Sequence, residues 1–135
     1  MLNIRQITDR DWEETIPSWY GKYGDAWPLP QRHMMPDNGL GGAIVSSGDT
    51  PFACGMLYYT NSSIAIIEFV IADKDYREDD RDEGIELVLS SLKELAKSKG
   101  CEVIFAWVKN KSLINKYNNT GFLNSAECTE LVTKL

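Results

Sequence analysis

The sequence predicts a mixed α+β or α/β domain, and three features of the chain lead to that prediction. Three consecutive apolar segments, 43–47, 52–60 and 64–72, are separated by short turns, as in an antiparallel meander. A long amphipathic segment and then a short apolar one follow, so strand, helix and strand occur in succession. That order is typical of a right-handed parallel crossover. We therefore expect a mixed sheet covered by two to four helices.

Length, charge and cysteine spacing limit the class of protein. The chain has 135 residues, which suits a single domain spanning 1–135. Its net charge of -6 argues against binding to nucleic acid or to an anionic membrane. Three distant cysteines without a C-x-x-C pair predict neither a metal site nor a disulfide framework. No apolar run approaches the roughly 18 residues that cross a bilayer, so we expect a cytoplasmic protein.

The first forty residues predict a strand, a helix and a long irregular segment. Residues 2–7 alternate apolar and polar side chains, as in a half-buried strand. Thr8 can cap a following helix in which Trp12, Ile16 and Trp19 share one face. Eight glycine and proline residues in 19–42 exclude a long regular element there, apart from a short helix near 30–35. Long loops of this kind often bind ligands, and the aromatic residues at its start are either a substrate platform or core.

The second half of the chain contains the clearest elements. Segment 64–72 is almost continuously apolar, which predicts a central strand covered on both faces, and Glu68 is its only charged residue. Segment 83–99 places apolar residues at helical spacing and ends before Gly100. The pattern then predicts a strand at 103–108, a helix at 111–120, and closing strands at 122–126 and 129–135.

Most of the common catalytic motifs are absent from the sequence. A single histidine, His33, and the lack of a G-x-S-x-G turn argue against a serine hydrolase. There is no P-loop and no dinucleotide fingerprint. The chemistry is most readily placed where the buried strand meets the long helix, because a helix N-terminus presents unpaired N–H groups to a phosphate. Gly84 lies in the first turn of that helix.

The motifs between residues 66 and 122 resemble those of the GCN5-related N-acetyltransferase (GNAT) superfamily. Segment 67–77 stands where that family has a strand ending in V-x-P-x-Y-R. Arg81-x-x-Gly84-Ile85 resembles its phosphate loop, [QR]-x-x-G-x-[GA]. Asn110, Tyr117 and Gly121-Phe122 match its final motif, N-x-x-A-x-x-x-Y-x-x-x-G-F. The resemblance implies a GNAT-like mixed, mostly antiparallel central sheet of six to seven strands flanked by about four helices.

The resemblance also implies an activity: transfer of an acetyl group from acetyl-CoA to a primary amine of a small molecule or peptide. Acetyl-CoA would lie where strand 66–72 separates from strand 103–108. Glu68 would accept the proton of the attacking amine, and Tyr117 would protonate the departing thiolate. The implied cofactor contacts are Phe69, Val70, Ile71 and Ala72 for the pantetheine, Arg81, Asp82, Glu83, Gly84 and Ile85 for the pyrophosphate, and Asn110.

The phosphate loop departs from the family pattern in its charge. Glu86 stands at the second small position, and eight carboxylates against three basic side chains give segment 73–86 a local charge of -5. Carboxylates at a helix start can occupy the N–H groups and repel a diphosphate. The sequence therefore leaves two functions open. One is an acyl-CoA-dependent N-acyltransferase, and the other is a GNAT-fold protein without catalysis whose acidic loop binds a basic protein partner.

Overall fold

The computed structural model describes residues 1–135 and contains one sheet of five strands. The strands lie side by side in chain order. Neighbouring strands are antiparallel through the fourth, and the fifth runs parallel to the fourth. The predicted mixed, mostly antiparallel α+β architecture is therefore confirmed. The strands are β1 (Leu2–Gln6), β2 (Gly42–Ser47), β3 (Thr50–Tyr59), β4 (Ile64–Ala72) and β5 (Val103–Phe105).

Four helices cover the sheet: α1 (Asp9–Glu14), α2 (Ile16–Tyr23), α3 (Arg81–Ser98) and α4 (Lys111–Asn119). The first two pack on one face of the sheet, and the last two on the other. The single helix predicted after Thr8 is divided at Thr15, because Pro17 has no N–H to continue the helical hydrogen bonds. Three short 3-10 turns occupy the irregular segment between α2 and β2. None of the helices combines the length and the apolar character needed to cross a bilayer.

The C-terminal segment forms no strand, so the prediction of six to seven strands is wrong. Residues 122–135 have no regular secondary structure, and β5 ends at Phe105 rather than at residue 108. Leu123, Leu131 and Val132 are between 84% and 90% exposed. Alternating apolar residues favour a strand only where a neighbouring strand and a core receive them, and this segment has neither.

Helix α3 confirms the strongest sequence pattern, although it begins two residues earlier than predicted. Its apolar face, including Val88, Leu89 and Leu92, is fully buried against the sheet. Gly84 lets the first turn of α3 approach the sheet closely, because a Cβ at Gly84 would lie 2.2 Å from Cζ of Phe52. This contact holds the N-terminus of α3 against β3, next to the C-terminal end of β4.

Candidate active site

Strands β4 and β5 separate along their length and leave a gap in the sheet. Their pairing runs only from Ile64 opposite Val103 to Ile66 opposite Phe105. Residues 67–72 of β4 consequently have no strand partner on that side. Backbone N–H and C=O groups along such an unpaired edge are available to an extended ligand. This separation lies where the sequence analysis places the pantetheine.

A bulge bends β4 at the point where the gap opens. Cys54 pairs with Ile71 but Met56 pairs with Glu68, so one glycine, Gly55, faces two residues of β4. One of these two, Phe69, has φ of 55°. The left-handed region costs a residue with a side chain on the order of 1 to 3 kcal/mol, and such strain is common at functional sites. Bulges of this kind redirect side chains near active sites.

The bulge places Glu68 on the sheet face that carries α2. Glu68 lies directly opposite Met56, whose side chain belongs to the core on that face, and opposed residues share a face. Burial raises the pKa of the half-buried Glu68 carboxyl, and the charge of Glu130 raises it further. The N–H of Phe69, 3.3 Å from Oε1 of Glu68, acts in the opposite direction and lowers that pKa. The net shift is upward, which makes this carboxylate a better proton acceptor near neutral pH than an ordinary one.

Three tyrosines lie within electrostatic reach of Glu68. Burial raises the pKa of Tyr20, Tyr58 and Tyr117, and the charge of Glu68 contributes to the rise in each case. Tyr20 and Tyr58 come from α2 and β3 on the face that carries Glu68. Tyr117 comes from α4 and packs with the core on the opposite face. Glu68 and Tyr117 therefore lie on opposite faces of the sheet, within electrostatic reach of each other.

Tyr117 is well packed, yet its hydroxyl is free. The residue is 4% exposed, and its ring meets the ring of Phe122 edge-on with centroids 5.0 Å apart. The hydroxyl makes no hydrogen bond within the protein, and the only buried side-chain polar atom without a partner is Nε of Arg81. The hydroxyl of Tyr117 therefore keeps access to solvent. Because burial raises its pKa, it stays protonated and can donate a proton or a hydrogen bond.

The N-terminus of α3 is open to a ligand. The backbone N–H of Gly84 donates to the carbonyl of Asp80, as expected for the first helical hydrogen bond. The N–H groups of Asp82 and Glu83 have no acceptor on the backbone or on any side chain, and no side chain caps the helix. Two donors at the positive end of an 18-residue helix are thus unoccupied.

Three acidic side chains around this terminus have partners other than its amides. Asp80 accepts from the hydroxyl of Tyr76 at 2.6 Å, Asp82 lies 3.3 Å from Nζ of Lys116, and Glu86 accepts from Nδ2 of Asn119 at 3.3 Å. Glu83, which stands in the same turn as Asp82, has no partner, and it does not cap the helix. The amides are therefore open, while the negative charge of the loop remains.

Two arginines remain unneutralised in this acidic region. Neither Arg77 nor Arg81 takes part in an ion pair, and Nε of Arg81 is buried without a partner. Burial raises the pKa of Tyr23, and the positive charges of Arg81 and Arg77 oppose that rise, so both lie near its hydroxyl. That hydroxyl donates to the carbonyl of Ala72, the last residue of β4, at 2.8 Å. Unpaired positive charge therefore collects where β4 ends and α3 begins.

Asn110 acts as the N-cap of α4. Its Oδ1 accepts a hydrogen bond from the N–H of Leu113 at 3.0 Å, a common use of asparagine before a helix. Only its side-chain NH2 group remains for a ligand, and its contact with a cofactor stays a prediction.

The sequence analysis missed Lys116 and Tyr58 as members of this region. Lys116 comes from α4 and reaches the first turn of α3, and Tyr58 comes from β3. No local motif marks either residue. A lysine on a predicted helix and a tyrosine in a predicted strand carry no signal until the elements are packed.

Solved structures of acetyltransferases superpose on the chain along most of its length, whereas no protein-family model and no curated protein matches it. Glucosamine-6-phosphate N-acetyltransferase from Arabidopsis thaliana has a TM-score of 0.71 at 15% identity, covering 99% of both chains. An aminoglycoside acetyltransferase from an uncultured soil metagenomic sample has a TM-score of 0.71 at 11% identity, covering 99% of this chain and 96% of that one. The ribosomal-protein-S18-alanine N-acetyltransferase from Escherichia coli has a TM-score of 0.67 at 15% identity, covering 93% and 80%. At these identities the similarity establishes the fold alone.

Proposed function

The chain has the fold of the GCN5-related N-acetyltransferase superfamily, and we propose that it is an acyl-CoA-dependent N-acyltransferase that acetylates a primary amine. The observation that carries this proposal is the open start of α3 beside the gap between β4 and β5. The amides of Asp82 and Glu83 are unoccupied there, and Arg77 and Arg81, near the end of β4, form no ion pair. Backbone N–H groups and arginines are the donors that proteins use to bind phosphates.

The residues present fit acetyl-CoA, because the buried Nε of Arg81 lacks the acceptor that a diphosphate oxygen would supply. The unpaired edge of β4 from Phe69 to Ala72 would hydrogen-bond the amides of the pantetheine. Acetyl-CoA would supply the activated acyl group: the amine nitrogen would bond to the acyl carbon, the C–S bond would break, and CoA would leave as the thiolate.

Glu68 and Tyr117 would handle the two protons of this transfer. Glu68 takes the proton that the attacking amine loses, directly or through one water molecule, and its raised pKa suits that role. The free hydroxyl of Tyr117 gives a proton to the thiolate sulfur on the other side of the gap. Each general acid or base of this kind typically contributes about 10²- to 10⁴-fold to the rate.

The acceptor would enter from the face that carries α2. Glu68 stands there with the hydroxyl-bearing rings of Tyr20 and Tyr58, and the ring of Tyr58 lies 6.4 Å from that of Phe69. Aromatic rings and a carboxylate attract an ammonium group. With a net charge of -6, the protein as a whole favours a cationic small molecule or peptide over an anionic acceptor.

Calorimetric titration with acetyl-CoA and with CoA tests the proposal. We expect micromolar binding by the unmodified protein and weakening of about 10- to 100-fold in Arg81→Gln, because a charge-assisted hydrogen bond to phosphate is lost. Lys97→Gln, which removes an exposed charge in the last turn of the same helix, is the matched control and should bind as the unmodified protein does. A folded protein that takes up neither ligand at millimolar concentration refutes the proposal.

A further inference from the structure

Lys116 is a buried lysine that links α4 to the first turn of α3. The residue is 7% exposed, and Nζ lies 2.8 Å from Oγ of Ser112 and 3.3 Å from Oδ1 of Asp82. Lysine is rarely buried to this extent unless its charge is paired, and the only carboxylate that pairs with it is that of Asp82. Asp82 itself is 72% exposed, so Lys116 determines where an otherwise free carboxylate lies.

We propose that Lys116 is a positioning residue for the diphosphate site: it holds the carboxylate of Asp82 off the open amides of α3 and offsets its charge. This inference rests on the proposed function, because the amides concerned are those that would bind the diphosphate of CoA.

The physical reason lies in the attraction between a carboxylate and a helix start. An acidic residue in the first turn is drawn to the unpaired N–H groups and the positive end of the helix dipole. Asp82 stands in that turn, so its carboxylate lies close in the chain to two free amides, its own and that of Glu83. Without its partner on α4, the carboxylate would move toward these donors and compete with an incoming phosphate. Oγ of Ser112 accepts a hydrogen bond from Nζ of Lys116 and so fixes the ammonium group on α4.

Glu86 is held in a similar way but by a weaker contact. Its Oε2 accepts a hydrogen bond from Nδ2 of Asn119 at 3.3 Å, and this bond lies at the protein surface. Asn119 carries no charge and therefore cannot offset that of Glu86. Replacement of Asn119 by Ala should thus change CoA affinity less than replacement of Lys116.

A double-mutant cycle between Lys116 and Asp82 tests the inference, with CoA affinity measured by calorimetry and folding by the thermal midpoint. We expect Lys116→Met to weaken CoA binding about tenfold, and Asp82→Asn to tighten it, because the competing carboxylate is removed. The CoA affinity of the double variant should lie within about threefold of that of Asp82→Asn, because the competing charge is gone. Lys116→Arg should keep the affinity, and Lys111→Met, at an exposed lysine on the same helix, is the control.

The outcomes separate the positioning role from other roles of Lys116. A loss of affinity that Asp82→Asn does not restore would mean that Lys116 contacts the ligand itself or only supports the fold. Unchanged affinity in Lys116→Met would also overturn the inference, even with a lowered thermal midpoint. If the unmodified protein does not bind CoA, the proposed function is refuted and the inference with it. If the unmodified protein binds CoA, the double-mutant cycle tests the inference separately from the proposed function.

Discussion

The starts of α1 and α3 both carry aspartates, but the carboxylates of these aspartates have different partners. At α1, the carboxylate of Asp11 accepts from the N–H of Thr8 at 2.8 Å and binds Arg5 through both oxygens at 2.7 and 2.8 Å. At α3, the carboxylates of Asp80 and Asp82 turn to other partners and leave two amides open. An aspartate at a helix start therefore does not reveal whether its carboxylate binds the residue that precedes the helix or a side chain from another element. The side chains that reach the carboxylates from elsewhere decide it.

This contrast predicts two kinds of variant. Changes beside α3 and the gap between β4 and β5 should alter binding or turnover and leave stability nearly unchanged. Changes at α1 should alter stability and leave binding unchanged.

Tyr117→Phe should lower kcat about 100-fold while KM for acetyl-CoA changes little, because only the proton donor is removed. The hydroxyl makes no hydrogen bond within the protein, so the thermal midpoint should stay nearly the same. Steady-state kinetics with an amine that the unmodified protein acetylates measures the effect, and Tyr59→Phe, at a half-exposed tyrosine of β3, is the control. Equal kcat in Tyr117→Phe would exclude Tyr117 as the acid.

Asp11→Asn should destabilise the protein by about 2 kcal/mol at neutral pH, because Arg5 and Thr8 lose charge-assisted hydrogen bonds. Burial alone would raise the pKa of Asp11, but the bonds from Arg5 and Thr8 outweigh it and hold that pKa below its usual range. The stabilisation is therefore present above the ordinary aspartate pKa and is lost as the pH falls through the lowered value. Urea unfolding at neutral and acidic pH should show a difference between the two proteins that shrinks with acid. If Asp11→Asn weakens CoA binding as well as stability, the two helix starts do not differ in their roles.

Glu68→Gln should stabilise the fold by about 1 kcal/mol at neutral pH while it lowers turnover, because a half-buried charge is removed. The folded-state pKa of Glu68 is raised, so the native state favours the protonated form. The advantage of Gln should disappear as the pH falls below that raised value, where Glu68 is itself neutral. The free energy of unfolding, measured across this pH range, shows whether Glu68→Gln is the more stable protein, and Glu94→Gln on the exposed surface is the control. A loss of stability in Glu68→Gln at neutral pH would contradict the assignment.

Much of the fold follows from local patterns in the sequence. The apolar run of β4 and the helical period of α3 each specify an element within one segment, and both elements are present. The short turns between β2, β3 and β4 likewise predict the meander. The segment 122–135 shows the limit of such patterns, since its alternating residues predicted strands that the structure lacks.

The candidate site was predicted less completely. Glu68 and Tyr117 were identified from the family resemblance, and the structure places them on opposite faces of the sheet within electrostatic reach of each other. Lys116 and Tyr58 were not identified, because their roles depend on residues distant in the chain. The acidic loop suggested that carboxylates occupy the amides at the start of α3, and the structure shows these amides without an acceptor. The repulsion of a diphosphate by the loop stays a prediction.

Local sequence patterns specify the strands and helices through β4 and α3, since periodicity and turn residues act over short distances. The separation of β4 and β5, the left-handed conformation of Phe69 opposite Gly55 and the open amides of α3 depend on the packing of the whole chain. Hydrogen-bond partners and opposite charges pair because they lie close together in space. Proximity between residues such as Asp82 and Lys116 arises only when helices pack on a common sheet.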